Sequence, residues 1–293
     1  MEGGRGRRAR AAVGAVAALG LVVVISVGWA RPGLAAPIQS YVALGDSYTA
    51  GPFIPNQLAD PIGCLRSDHN YPHRLAFAIG IALRDASCSG ATLSKLSRSQ
   101  GVVGGTNPPQ LSRLSGDTTL VTLQMGGNDI GFTAILLNCI AILPFGTPCR
   151  DHYVRNGVDA ISNKIVATAP RVDAAIESIH ARAPHARVLV LGYPAILPDS
   201  GVGCWPAMPF AWNDVPYLRA RAKQLNAMLA AAAARHRATY VDVYGPSIGH
   251  DACASRSARW IEPFAPATLA APVHPNAGGM NSIAHYVRVA GRL

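Results

Sequence analysis

The sequence has few charged residues and no basic run beyond its first ten positions. Charged residues make up 14% of the 293 residues, and the arginines are scattered without interleaved aromatic side chains. Nucleic-acid binding needs a clustered positive surface, so we exclude it as the function. The formal charge is +10, but the first ten residues hold four arginines against one glutamate. Arg31 adds one more positive charge, which leaves +6 from Pro32 onward and a weak preference for anionic surfaces.

Motifs for metal, redox and phosphate chemistry are also missing. No C-x-x-C occurs, and the Gly-rich segment GVVGGTNPP lacks the Lys-Ser/Thr of a phosphate-binding loop. His69 and His73 are four residues apart, but no third ligand is placed with them, so they do not indicate zinc. We expect no metal and no cofactor.

Residues 1–36 have the composition of an export signal. A basic segment, RGRRAR, precedes the apolar stretch AAVGAVAALGLVVVISVGWA and the small residues of RPGLAAP. Cleavage near Ala30, Ala35 or Ala36 fits this pattern, but the apolar stretch also approaches the length of an N-terminal membrane anchor. In both cases residues 37–293 lie outside the cytosol, secreted or in the cell envelope, and their number favours one domain of roughly 250 residues.

The cysteine count favours disulfides. Six cysteines, an even number, lie in a chain that leaves the reducing cytosol. Fifteen pairings are possible, and the alternative of buried free thiols also stays open. The simplest scheme pairs neighbours along the chain, as Cys64–Cys88, Cys139–Cys149 and Cys204–Cys253.

Five short apolar runs are typical of strands. Two of them, TLVTLQM and RVLVLGY, are almost wholly apolar and β-branched, as strands buried on both faces of a parallel sheet are. Helical patterns lie between the runs, and Asn276 is a good N-cap for a last helix. The alternation predicts a three-layer α/β/α sandwich with parallel strands at 41–44, 83–86, 119–124, 187–191 and 239–243.

Four short polar segments lie at the expected carboxyl edge of this sheet, where ligands of such folds bind. They contain Ser47 in GDSY, Gly90 in SGA, Asn128 in GGND and His274 in HPN. Each alone is explained by turn chemistry or ordinary packing. Together they provide a hydroxyl, a base for its proton, and donors for a developing oxyanion, which are the parts of a serine hydrolase.

These four blocks, in this order, resemble the SGNH branch of the GDSL-type lipases and esterases over residues 38–293. The resemblance implies a flavodoxin-like sheet of about five parallel strands. It also implies Ser47 as nucleophile, His274 as general base and acid, and an oxyanion hole made by Ser47 and Gly90 N–H groups and the Asn128 amide. Three sequential disulfides are similar to those of secreted bacterial lipases of the family. Asp46 is interpreted as structural, anchoring the turn.

The sequence departs from the family at one position. The usual acid three residues before the histidine is replaced by Ala271. Some members of the family use a backbone carbonyl there, so we predict that the Ala271 carbonyl orients His274 in a Ser-His dyad. The alternative is an acid recruited from elsewhere, Glu262 or Asp251.

The predicted function is hydrolysis of carboxylic esters, of lipid or short-to-medium acyl chains, by an exported monomer. Membrane association through the substrate or an uncleaved anchor stays open. The long apolar loop 194–216, with Trp205, Met208, Phe210 and Trp212, either lines an acyl groove or packs on the core. Rival functions are a phospholipase, a cell-wall glycan deacetylase, an acyltransferase, and a non-catalytic binding protein on a decayed hydrolase fold.

Overall fold

The structure, a computed structural model, describes residues 1, 3, 4 and 38–293. The predicted export segment therefore lies almost wholly outside the described residues. Within residues 38–293 the strands are β1 (Ser40–Gly45), β2 (Ala82–Asp85), β3 (Gln100–Val102), β4 (Gly105–Asn107), β5 (Leu120–Gln124), β6 (Val154–Arg155), β7 (Val158–Asp159), β8 (Arg187–Leu191) and β9 (Thr239–Val241).

Helices lie between β1 and β2, between β5 and β8, and between β8 and β9, and a last helix follows β9. They are α1 (Ser47–Ala50), α2 (Tyr71–Ile79), α3 (Phe132–Asn138), α4 (Pro148–Tyr153), α5 (Ala160–Arg182), α6 (Val215–Arg235) and α7 (Ala277–Gly291). Single 3-10 turns occur at Ile62–Cys64, Leu93–Leu96, Gln110–Arg113 and Gly245–Ser247. Asn276 caps α7 by accepting a hydrogen bond from the Gly279 N–H, as the sequence predicted.

The central sheet has five parallel strands in the order β2-β1-β5-β8-β9, which confirms the predicted fold class. The order reverses between β1 and β5, and a crevice opens at such a switch point, beyond the carboxyl ends of the strands. Two small antiparallel hairpins, β3-β4 and β6-β7, lie outside this sheet.

Side chains alternate between the two faces of the central strands. Val42 and Leu44 of β1 belong to one apolar cluster, in which buried residues of α5 and α6 also take part. Tyr41 and Ala43 belong to a second cluster with α2 and α7. Both faces are thus covered by helices, which explains the near-continuous apolar runs.

Three disulfides join the loops at the carboxyl edge, and they are the sequential pairs Cys64–Cys88, Cys139–Cys149 and Cys204–Cys253. The third bridge ties the loop after β8 to the loop after β9, where Ala252 N also donates to Ile196 O. Of the helices described, none has both the length and the apolar composition to span a bilayer.

Candidate active site

Ser47 is the first residue of α1, directly after β1. Asp46 caps this short helix by accepting a hydrogen bond from the Tyr48 N–H at 2.9 Å. Gly45 is required at the turn because a Cβ there would lie 2.0 Å from Thr49 Oγ1. The tight corner leaves Ser47 partly exposed at the crevice, while its neighbours on both sides are buried.

His274 lies beside Ser47, with its Nε2 atom 2.8 Å from Ser47 Oγ. Its Nδ1 atom is 2.7 Å from the Pro272 carbonyl oxygen, which can only accept. Nδ1 therefore carries the ring proton, and Nε2 is free to accept the proton of the serine hydroxyl. Burial lowers the pKa of His274 below its ordinary value, and the Pro272 carbonyl offsets part of this effect.

The predicted orienting carbonyl was wrong by one residue. The Ala271 carbonyl accepts from the His274 backbone N–H at 3.3 Å, and the Pro272 carbonyl accepts from the ring instead. The reason is the backbone of Val273, whose φ of 60° is rare for a β-branched residue and turns the chain between these two carbonyls and the imidazole.

This strained loop is held by its surroundings. Val273 N donates to Glu262 O, Glu262 N donates to His274 O, and Tyr48 Oη donates to Val273 O at 2.7 Å. The Tyr48 ring also packs against the His274 ring, with centroids 4.9 Å apart. Tyr48, the residue directly after the serine, therefore fixes the position of the histidine.

Neither alternative carboxyl group forms a hydrogen bond with the His274 ring. Glu262 accepts hydrogen bonds from Ala267 N, Thr268 Oγ1 and Asn276 Nδ2. Burial opposes ionisation of Glu262, but these three donors outweigh it and lower its pKa. Asp251 accepts from Cys253 N at 2.9 Å, and burial raises its pKa. Both carboxyl groups stabilise loops rather than the imidazole.

Three donors lie on the loops around Ser47. Within the described residues, the N–H groups of Ser47 and Gly90 have no acceptor. Gly90 is exposed and has a φ of 76°, which favours glycine and leaves its N–H accessible. Asn128 Nδ2 donates one proton to Ala91 O at 2.9 Å, which keeps its second proton available for another acceptor.

Asp129 fixes the distance between the SGA loop, which contains Gly90, and the GGND loop, which contains Asn128. Its carboxylate accepts from Leu93 N and pairs with Arg171 of α5, with the closest oxygen 2.6 Å from Arg171 Nη2. Burial raises the pKa of Asp129, although the Leu93 N–H and Arg171 favour the ionised form. The GGND and SGA loops are thus joined by one contact from Asn128 and one from Asp129.

Asp46 also has a second partner, Tyr193 after β8. Tyr193 Oη donates to Asp46 Oδ2 at 2.6 Å and accepts from Gly127 N at 2.9 Å. Burial raises the pKa of Asp46 to about 7, against hydrogen bonds from Tyr193 and Tyr48 that lower it. The predicted structural role of Asp46 thus extends from its own turn to the GGND loop.

An apolar cavity opens beside Ser47 and Asn128. It has a volume of about 890 Å³, part of which is open to solvent. One side is formed by α3 and the residues before it, and the other by Tyr193, Phe210 and α6. Of the four large residues named in loop 194–216, Phe210 lines this cavity, Met208 is buried in the core, and Trp205 donates to the Ala141 carbonyl.

A profile of the GDSL-like Lipase/Acylhydrolase family matches residues 43–281. The chain belongs to this family. It is 41% identical to Lipase 2 of Streptomyces coelicolor over 288 residues, which cover 94% of each chain. The structure matches phospholipase A1 of Streptomyces albidoflavus NA297 with a TM-score of 0.72 and 26% identity, covering 88% of this chain and 100% of that one.

A further match is the extracellular lipase of Streptomyces rimosus, with a TM-score of 0.71 and 27% identity over 86% of this chain and 99% of that one. This GDSL-family chain is therefore a carboxylic ester hydrolase of the lipase and esterase type. The alternative of a non-catalytic binding protein on a decayed hydrolase fold has no support among these relatives.

Sequence reasoning missed two groups of residues in this GDSL-family ester hydrolase. One is the α3 side of the cavity, which includes Phe132, Ile135 and Leu136. The apolar spacing of FTAILL signals a short helix, but nothing in it says which face meets the crevice. The other is Tyr193, since a tyrosine after a buried strand carries no sign of a partner 147 positions earlier.

Proposed function

We propose that the protein hydrolyses acyl esters through a Ser47–His274 dyad. The observation that carries this proposal is the 2.8 Å distance between Ser47 Oγ and His274 Nε2, with Nδ1 directed at the Pro272 carbonyl. A carbonyl orients the ring as a carboxylate would, but it carries no full charge to stabilise the imidazolium. No metal or cofactor takes part in this scheme.

In the proposed reaction, Ser47 Oγ attacks the acyl carbon while His274 Nε2 takes its proton. The oxyanion is stabilised by the N–H groups of Ser47 and Gly90 and by the free amide proton of Asn128. His274 then gives its proton to the leaving alcohol. Water repeats the sequence on the acyl-serine and releases the carboxylic acid.

The substrates are lipid or short-to-medium acyl esters, because most of the surface of the cavity beside Ser47 is apolar, although Arg219 and Arg221 also line it. A second candidate within this chemistry is the acyl ester of a phospholipid, which is favoured by the similarity to a phospholipase A1. We also propose that the protein is exported and acts as a monomer. Three disulfides support export, since such bonds persist outside the cytosol.

The test is the rate of hydrolysis of p-nitrophenyl esters of increasing chain length and of phosphatidylcholine. Ser47→Ala is expected to lower kcat by at least about 10³-fold on every ester that the protein cleaves. Ser178→Ala, at a partly exposed position of α5, is the matched control and is expected to retain full activity. Residual activity of more than a few per cent in Ser47→Ala would exclude this mechanism.

A further inference from the structure

A group of large apolar side chains is exposed beside the cavity. Five of them fall within nine residues, at the end of α3 and in the loop that follows, and Trp212 joins them from the opposite loop. We call this group the apolar patch, and it consists of Leu137, Ile140, Ile142, Leu143, Phe145 and Trp212. Ile142 is 89% exposed, Phe145 65% and Leu143 63%. Contiguous exposed apolar surface of this kind marks an interaction site more often than chance.

The apolar patch is part of a braced structure. The Cys139–Cys149 disulfide closes its loop. Two backbone hydrogen bonds, from Ala141 N to Pro209 O at 2.7 Å and from Trp212 N to Pro144 O at 2.8 Å, join it to the opposite loop. The rings of Phe145 and Trp212 also pack edge to face, with centroids 5.3 Å apart. The braced backbone therefore holds these side chains in exposed positions.

The same elements form the cavity and the apolar patch. Ile135 and Leu136 of α3 line the cavity, and Leu137 of the same helix points to solvent. Phe210 lines the cavity two residues before Trp212. No charged side chain occurs anywhere between residues 130 and 149. An apolar surface thus continues from the wall of the cavity to the outside of the protein.

We propose that the apolar patch docks on the surface of an anionic phospholipid bilayer. Leu, Ile and Phe side chains with a Trp at their edge are the residues that enter the boundary between headgroups and acyl chains. The charge of +6 from Pro32 onward is attracted by an anionic bilayer, whereas two copies of the chain repel each other. Docking would bring the cavity to the acyl chains, a consequence that rests on the proposed function.

The first experiment measures binding to sedimented vesicles of phosphatidylcholine and phosphatidylglycerol in equal parts. All proteins carry Ser47→Ala so that no lipid is consumed, and all derive from the same full chain so that the N-terminal segment contributes equally. Ile142→Gln with Phe145→Gln is expected to weaken partitioning by roughly tenfold or more, because two apolar side chains no longer enter the lipid. Leu143→Gln alone is the second variant, with a smaller loss in the same direction.

The matched control is Phe77→Gln with Val289→Gln. Both residues are highly exposed, but they lie near the C-terminal ends of α2 and α7, at the opposite edge of the sheet. This control is expected to partition within about twofold of its parent. If the two double variants bind vesicles equally well, the apolar patch is not the docking surface and the proposal is overturned.

Trp212 supplies a local readout. Its emission is expected to shift to the blue on addition of vesicles and to be quenched by brominated lipid, and Trp212→Phe should remove that component. Light scattering without lipid tests whether a second copy of the chain, instead of a bilayer, covers the apolar patch. A dimer that Ile142→Gln with Phe145→Gln converts to a monomer would show that a second copy covers the patch, and would overturn the proposal.

The proposed function and the docking surface can fail separately. With Ser47 intact, Ile142→Gln with Phe145→Gln is expected to leave hydrolysis of dissolved p-nitrophenyl butyrate unchanged and to slow hydrolysis of vesicle phospholipid. Loss of both activities with an unchanged near-ultraviolet spectrum would contradict a docking role. If no ester is cleaved by the parent, the function is wrong, and vesicle binding still decides the role of the patch.

Discussion

Replacing Asp46 by asparagine removes a carboxyl group that is buried beside the candidate nucleophile. Asp46 is 1% exposed, and its two oxygens accept from Tyr48 N and Tyr193 Oη. Burial is the main cause that raises its pKa, from 3.8 to about 7. Asparagine has nearly the same shape and keeps one accepting oxygen, but it does not titrate.

The sign of the effect follows from the direction of this shift. Between about pH 4 and pH 7 the unfolded chain has lost the Asp46 proton, whereas the folded protein retains it. Stability contributed by this proton is complete below the unfolded pKa and is lost as the pH rises through the folded pKa. A difference of about three pKa units corresponds to about 4 kcal/mol at most. That is a large fraction of the free energy of unfolding of an ordinary domain.

The assay is urea unfolding with the disulfides intact, at a series of pH values from about 4 to about 8. The free energy of unfolding of Asp46→Asn, relative to the parent, is expected to rise across this range, by up to about 4 kcal/mol. Asp117→Asn, at an exposed surface position, is the control for a carboxyl group lost elsewhere. If the parent and Asp46→Asn depend on pH in parallel, the buried carboxyl is ionised throughout and the reasoning is wrong.

Three further predictions concern the histidine loop. Tyr48→Phe leaves the buried Val273 carbonyl without its donor, so we expect the free energy of unfolding to fall by about 1–3 kcal/mol. We also expect a lower kcat with KM little changed, because the contact positions His274. An unaltered kcat would show that it does not. Glu262→Gln should lower the Tm but keep kcat/KM within about tenfold, whereas loss of a true triad acid costs about 10⁴-fold in kcat. Finally, activity needs neutral His274, whose pKa burial lowers, so kcat/KM should fall to half only below pH 6.5; a midpoint above that value would point to an anionic partner.

The fold, and the meeting of the loops that carry the candidate site residues, were predictable because they depend on short-range sequence patterns. Runs such as TLVTLQM admit few structures other than a strand covered on both faces, and β5 is such a strand. Once the strands are parallel, the segments after them must meet at one edge. Ser47, Gly90 and Asn128 follow three neighbouring strands, so the topology brings their loops together.

The predictions that were wrong or missing depend on the direction of the backbone and on partners distant in the sequence. Which carbonyl faces the His274 ring is decided by the φ of Val273, and that angle is imposed by contacts with Tyr48 and Glu262. The Asp46–Tyr193 contact joins the residues that follow β1 and β8. The sequence does not indicate how close these two strands lie in the sheet. The apolar patch was likewise not predictable. A run of Ile and Leu predicts a buried segment, and only the fold shows that these side chains are exposed.

The central claim is that Ser47 is the nucleophile activated by His274. It is tested most directly by treating the protein with a fluorophosphonate and locating the modified residue by peptide mass spectrometry. We expect stoichiometric labelling at Ser47, abolished by Ser47→Ala and reduced at least about 10²-fold in rate by His274→Ala, because the hydroxyl then has no base. Labelling of a different serine, or labelling of Ser47 at an equal rate in His274→Ala, would contradict the account.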